Sequence, residues 1–292
     1  MFFLILINFL FSLTYPLIKI CLNKSSILTT MTIRMIFGGL GLLIFQLFYN
    51  FKNLIIKKKD SLNFLIIFLF HMFLNFIAEF YALKNLSGFI VSSLYLSSPI
   101  ISSLIGYILY NILLSKKQKL ILFLFFIFNL FFLFKNKLNI ILKIEFLNTK
   151  SIISFFLIIF SISASILSWY KIKELINENY SIITINTYSS LFSGFFCFII
   201  GYFFDKNFMI IQNQIIFYKS IFLLIIISNF LAYNLYEKII KKYSITFIML
   251  MEFIAPFFVA ALEFIFFKTL ININELLYFF IFIFLTLNFN KK

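Results

Sequence analysis

Charge is what this 292-residue chain has least of. Only 12% of its residues are charged, against about a quarter in a soluble domain. With 63% hydrophobic residues, 22% aromatic residues and a mean hydropathy of +1.08, the chain cannot keep a surface wet. That excludes soluble enzymes, disordered proteins and disulfide scaffolds, and leaves an integral membrane protein. Histidine occurs once, so one chain cannot supply a two-histidine metal site. The aspartates, Asp60 and Asp205, stand in loops, so there is no paired acidic motif to hold Mg²⁺ and no plausible Ser/His/Asp set. The seven glycines form no phosphate-cradling loop, which excludes ATP hydrolysis by the chain itself. Cys21 and Cys197 lie in apolar runs without metal-ligand neighbours and say nothing of redox compartment. The chain reads as a protein without catalysis, cofactor or metal.

What it has is long apolar runs. A helical span needs roughly 20 mostly apolar residues, and ten runs qualify: about 2–22, 28–50, 62–83, 88–113, 119–135, 152–173, 181–204, 216–236, 244–267 and 274–290. They are continuously apolar, unlike the short alternating strands of a barrel. The expected fold is therefore all-α, with ten transmembrane helices. No loop is large enough for a soluble domain; the longest, Lys135 to Lys150, has room for an interfacial stretch. The first run carries Pro16 and Lys19 and no small-residue cleavage site, so it reads as a retained span and not a signal peptide. The formal charge of +15 resides in lysines at the breaks between runs, as loops flanking spans require, and is no sign of nucleic acid. With the N-terminus cytoplasmic, the inner loops hold 14 lysines and the outer ones 10, which favours both termini in the cytoplasm. The expected location is the cell membrane, the bacterial inner membrane, crossed many times.

The chain also resembles itself. At a constant offset of 157 residues, Lys84 falls on Lys241, Ser87 on Ser244 and Pro99 on Pro256. In each half a basic turn feeds a helix that starts on serine, a helix-capping residue, and carries a proline 12 residues later, where proline kinks or breaks a helix. Pro99 and Pro256 are the expected hinges. The matched helices are the fourth and the ninth, so the chain divides into residues 1–140 and 151–292, five spans each. An odd number of spans inverts the second half relative to the first. Inverted repeats whose broken helices meet near the midplane are the architecture of secondary transporters.

The residues Tyr81, Ala82, Leu83 and Lys84, then Ser87 and Pro99, resemble the EamA-type branch of the drug/metabolite transporter superfamily. The second half repeats the pattern with Ala232, Tyr233, Leu235 and Tyr236, then Lys241, Ser244, Glu252 and Pro256. The stretch from Arg34 through Gly38, Gly39 and Gly41 is similar to that family's second span. The resemblance implies ten spans in two repeats and a carrier of amino acids, nucleotide-type cofactors such as S-adenosylmethionine, sugars or drug-like amines. One departure is plain: where that family often has glutamates near the ends of the fourth and ninth helices, this chain has Asn111 and Lys268.

A charge at the bilayer centre costs roughly 2.5–3.5 kcal/mol, so the few intramembrane polar residues are the candidate binding residues. His71, Asn75 and Glu79 fall at i, i+4 and i+8 on the third span and form one stripe; they line a cavity or sit wet at the two interfaces. Glu252 lies four residues before Pro256, where freed backbone groups could help it take a cation or a substrate amine, or it pairs with Arg34 as a structural clamp. Arg34, the only arginine, holds an anionic substrate group, pairs with an acid or reaches the headgroups. Glu263 and Lys19 complete the charged set. Tyr95, Trp169, Tyr170, Tyr188 and Tyr233 offer aromatic walls or cation–π contacts. Serines and glycine at Ser98, Ser102 and Gly106, and serines at Ser161, Ser165 and Ser168, read first as close-packing faces.

The functional expectation is a secondary active carrier of a small polar metabolite, working by alternating access through exchange or ion coupling. A lipid or lipid-linked flippase of the same fold is the alternative, and a structural membrane subunit the third. Expected partners are a small-molecule substrate and membrane lipids, not nucleic acid, with the chain as a monomer or homodimer.

Overall fold

The structure, a computed structural model, describes residues 2–49, 54–133, 149–268 and 283–289. These residues hold helices and no strand. The principal helices are α1 (Phe2–Leu22), α2 (Ile27–Tyr49), α3 (Lys58–Asn85), α4 (Gly88–Tyr110), α5 (Lys116–Leu133), α6 (Thr149–Asn177), α7 (Ile182–Phe204), α8 (Gln214–Ile240) and α9 (Ile245–Phe267). A further helical stretch occupies 283–289. All of these except α5 and the last stretch, eight helices, are long and apolar enough to cross a membrane. The count of ten spans is thus not reached among the described residues. The helix α5 opens on Lys116, Lys117 and Lys119, which leaves too short an apolar part, and most of the expected 274–290 span and nearly all of the Lys135–Lys150 loop lie outside the described residues. Several helices outrun their apolar cores: α3 and α6 continue into charged turns, where Lys171 and Glu174 pair one turn apart at 2.9 Å.

Local chemistry fixes the helix ends. Ser87, Ser181 and Ser244 each stand in extended backbone and accept from the N–H three residues on, at Ile90, Thr184 and Phe247. Each such cap is worth about 1 kcal/mol. Inside α4 and α9 the prolines act as expected, but the result is a break, not a smooth kink. Proline has no N–H to give the carbonyl four residues back, and its ring crowds that carbonyl. The orphaned carbonyls belong to Tyr95 and Glu252, and each is taken up by the N–H three residues on, at Ser98 and Ala255. A 3₁₀ turn results at Tyr95–Ser97 and again at Glu252–Ile254. Both helices then run on to a left-handed residue, Asn111 (φ 51°) and Lys268 (φ 59°). Every one of these features of α4 recurs in α9 at the 157-residue offset. So do the π-helical segments of α3 (Phe68–Phe73) and α8 (Ile225–Ala232), which start at equivalent positions.

Packing builds a scaffold around these broken helices. The helices α2 and α7 pack along their length at near-backbone distance: a Cβ on Gly39 would stand 3.0 Å from the Leu191 nitrogen, and one on Gly194 2.8 Å from the Ile36 nitrogen. The first part of α4 packs on the last part of α9, and the first part of α9 on the last part of α4. The two helices therefore run antiparallel and cross at their 3₁₀ turns. Loops join at both ends of the bundle. On the face where α1 begins, the Lys57 N–H donates to the Tyr180 hydroxyl (2.9 Å), which donates to Asp60 (2.9 Å), and Lys59 pairs with Glu178 at 3.0 Å. On the opposite face, the Gln212 N–H donates to the Lys24 carbonyl and the Met209 N–H to the Thr29 hydroxyl, both at 2.8 Å.

Candidate binding cavity

The broken helices and the π-helical segments meet around one cavity of about 100 Å³ in the middle of the bundle. It is walled by α1, α2, α3, α4, α6, α8 and α9. Eight of the nine candidate residues line it: Arg34, His71, Asn75, Glu79, Tyr95, Trp169, Tyr233 and Glu252. The ninth, Tyr188, is placed elsewhere. Its hydroxyl donates to the Leu54 carbonyl (2.7 Å) and its ring packs on Phe64 and Phe192, so it braces a loop. Glu263 and Lys19 also stand apart. The Glu263 carboxylate accepts from the N–H groups of Gly88 (2.8 Å) and Phe89 (3.3 Å) at the start of α4, and lies 3.9 Å from the Lys19 ammonium.

Arg34 is 1% exposed, which removes the headgroup alternative. Its Nη2 donates to the Ser228 hydroxyl at 2.6 Å, and its guanidinium plane lies over the Phe76 ring, 4.5 Å from the centroid. Nε and Nη1 have no acceptor among the described residues. No carboxylate approaches within ion-pair distance of Arg34 there either, so the expected clamp with Glu252 is not formed. Instead Glu252 accepts a hydrogen bond from the Ser98 hydroxyl at 2.8 Å. That serine stands just before Pro99, so each proline break contributes one partner. Buried polar groups are nearly always satisfied, so two donors without a partner on a residue that lines the cavity are exceptional.

His71 is likewise 1% exposed, and both ring nitrogens lack partners among the described residues. It sits in the π-helical segment of α3, edge-on to Trp169 (4.7 Å between centroids) and Tyr233 (5.3 Å). A π turn inserts a residue into the helix and is frequent at functional sites. Asn75 is held by two bonds: its amide donates to the His71 carbonyl at 3.1 Å, and its oxygen accepts from Ser161. Glu79 is buried on the same stripe, so neither it nor His71 is wet, as the alternative reading had it. Tyr95 shares a hydrogen bond with Ser161 at 3.2 Å. Trp169 stacks on Tyr236 with 4.0 Å between ring centroids.

Sequence reasoning missed part of the wall. Tyr15, Phe11 and Tyr236 line the cavity, and so does Ser165, which had read as a packing residue. Tyr236 had a signal: it stands 157 residues after Glu79, just as Glu252 stands 157 after Tyr95. All four residues line the cavity, so two equivalent positions hold one glutamate and one tyrosine each, in opposite order. No such signal marks Phe11 or Tyr15 among 48 phenylalanines and 15 tyrosines.

The chemistry of the wall is thus one fixed cation with free donors, two carboxylates, one histidine and several aromatic faces. It suits a small solute with polar ends and a flat or apolar body. No group of three or more His, Cys, Asp or Glu that could hold a metal ion occurs among the described residues.

No curated protein matches the chain. Among solved structures, one protein crystal structure superposes on 98% of this chain and 96% of its own with a TM-score of 0.68 at 11% identity, so the two share a fold. Residues 1–134, which hold Arg34, the stripe on α3 and the whole of α4, match the EamA-like transporter family, and that match implies a membrane drug/metabolite transporter type of function.

Proposed function

We propose that this protein is a secondary active transporter that moves a small polar metabolite, an amino acid, a nucleotide-type cofactor or an amine, across the cell membrane by alternating access. Ten helices in two inverted five-helix halves rock about the α2–α7 pair, whose close glycine contacts suit a fixed axis. The proline breaks of α4 and α9 are the hinges. Exchange or ion coupling drives the cycle, and both termini face the cytoplasm. The observation that carries this reading is Arg34: buried, braced by Ser228 and Phe76, and left with Nε and Nη1 unpartnered at the cavity wall. Such a guanidinium is built to receive a carboxylate or phosphate oxygen. In the same cavity Glu79 and Glu252 suit a solute's cationic end, and Trp169 and Tyr236 its flat part.

The antiparallel crossing of α4 and α9 supports the inverted arrangement, as does the recurrence of caps, breaks and π turns at one offset. A scaffold subunit gains nothing from an unpaired buried arginine, which argues against the structural reading. The test is uptake of a pooled, isotope-labelled metabolite mixture into cells making this protein, beside cells making Arg34→Ala at equal level. The expected result is selective accumulation of one solute class, reduced at least tenfold in the variant, the loss of one charged hydrogen bond of ordinary strength. If no solute moves while lipid leaflet asymmetry changes, the protein is a flippase and this reading fails.

A further inference from the structure

Three of the residues lining the cavity carry a formal charge: Arg34, Glu79 and Glu252. They do not pair with one another among the described residues. Glu252 accepts from the neutral Ser98 hydroxyl. Glu79, 8% exposed, has neither a hydrogen bond nor an ion pair there. Arginine is charged in any surroundings. His71 adds no charge, since no acceptor meets either ring nitrogen among the described residues and an imidazolium there would hold two unmet donors. The wall therefore has one acid more than it has bases.

The 157-residue offset shows how that surplus arises. Arg34 has no basic counterpart: the equivalent position is Leu191, packed against Gly39. Each glutamate has a counterpart that also lines the cavity, and in both cases it is a tyrosine, Tyr236 for Glu79 and Tyr95 for Glu252. Each half thus supplies one acid, from different positions, while only the first supplies a base. An unpaired charge buried in a membrane is costly, so a positive charge must come to the cavity from outside the wall.

The surroundings of the acids say which kind. Tyr15, Trp169, Tyr233 and Tyr236 line the same cavity. Trp169 stacks on Tyr236, and Tyr236 shares with Glu252 the wall of a small adjoining chamber of about 10 Å³. A proton needs no aromatic wall, whereas an organic cation is held by ring faces as well as by carboxylates.

We infer that the solute carries a net charge of +1: an anionic group for Arg34 and a cationic group for each of Glu79 and Glu252. An amino acid with a second amine or a guanidine has this pattern; neutral and acidic amino acids lack it. The inference rests on the transport proposed above and narrows its solute. It also makes the two glutamates the residues that set charge preference. Glutamine at either position removes the surplus acid, and the site then suits a solute with as many positive as negative groups.

The experiment is counterflow in vesicles reconstituted with purified protein and held at zero membrane potential, so that charge acts only at the site. Labelled amino acids, amines and nucleotide-type cofactors are offered in three pools sorted by net charge at pH 7, +1, neutral and negative, each against the same pool unlabelled inside. The wild type is expected to trap solute from the +1 pool at least about tenfold more than from the neutral pool, the worth of one charged contact. Glu252→Gln is expected to reverse that preference in favour of the neutral pool. Glu79→Gln, which loses no hydrogen bond, is expected to do the same and serves if the first variant does not fold. Preference of the wild type for the neutral pool, a proton having taken the place of the solute's second cation, overturns the inference and leaves the transporter reading standing. Preference for the negative pool does likewise. Trapping from the +1 pool with the preference unchanged in the glutamine variants overturns the assignment to these carboxylates. No trapping from any pool sinks both the inference and the transporter reading.

Discussion

The two proline-broken helices, α4 and α9, have the same backbone and different chemistry. Each starts on a serine cap, breaks into a 3₁₀ turn before a proline, and ends on a left-handed residue, position for position. Yet at the break α4 has Tyr95 and α9 has Glu252. One turn before the end α4 has Gly106 and α9 has Glu263, and at the end stand Asn111 and Lys268. The backbone device repeats because it depends on two residues, a serine that accepts an N–H and a proline that lacks one. The side chains between them are free to diverge, because neither the cap nor the break depends on them.

That comparison can be broken where it matters most. Replacing Glu252 by Gln removes the charge at one break while keeping the Ser98 hydrogen bond possible. It is expected to lower uptake ten- to a hundredfold, the range of a lost charged contact of about 1.5–3 kcal/mol, with little change in thermal stability. Tyr95→Phe, at the equivalent position, is expected to change uptake only a few-fold. Equal effects at the two positions would show that the chemistry has not diverged. Next in size is Glu263→Ala, which removes the acceptor of the buried Gly88 N–H and is expected to cost about 1–3 kcal/mol. It should be read as a lower melting temperature in detergent, whereas Gly106→Ala at the equivalent position presses on the hydroxyl end of one side chain, Tyr170, strands no backbone group and should cost less. The smallest effect concerns the ends. Lys268 bears a left-handed conformation that glycine adopts freely and asparagine tolerates, so Lys268→Gly is expected to raise stability by about 1 kcal/mol and Asn111→Gly by less. The same melting measurement compares them.

How much of this was legible in the sequence depends on which physical signal each feature leaves. Spans show in hydropathy because a helix in lipid must be apolar along roughly 20 residues, and the break prolines show because proline has one backbone consequence. Arg34, His71 and Glu252 were legible for the opposite reason: a buried charge or imidazole in such a chain is costly and so has a purpose. The π-helical segments leave no trace, since inserting one residue into a helix alters register and not composition. Tyr188 was misplaced and Phe11 and Tyr15 overlooked for one reason: aromatic residues are so abundant here that a ring on a cavity and a ring on a loop or in lipid look alike. Only the offset to Glu79 could have singled out Tyr236.

The central claim is that the cavity around Arg34 takes the polar end of a transported solute. Its most direct test is solute counterflow in vesicles reconstituted with purified wild-type protein, Arg34→Lys or Arg34→Ala, using the labelled solute class that cells accumulate. The account predicts trapping by the wild type, weak residual trapping with lysine, which keeps the charge but not the planar fork of donors, and none above background with alanine. Equal counterflow by all three would contradict it, because a guanidinium with no ligand to receive would then have no part in transport.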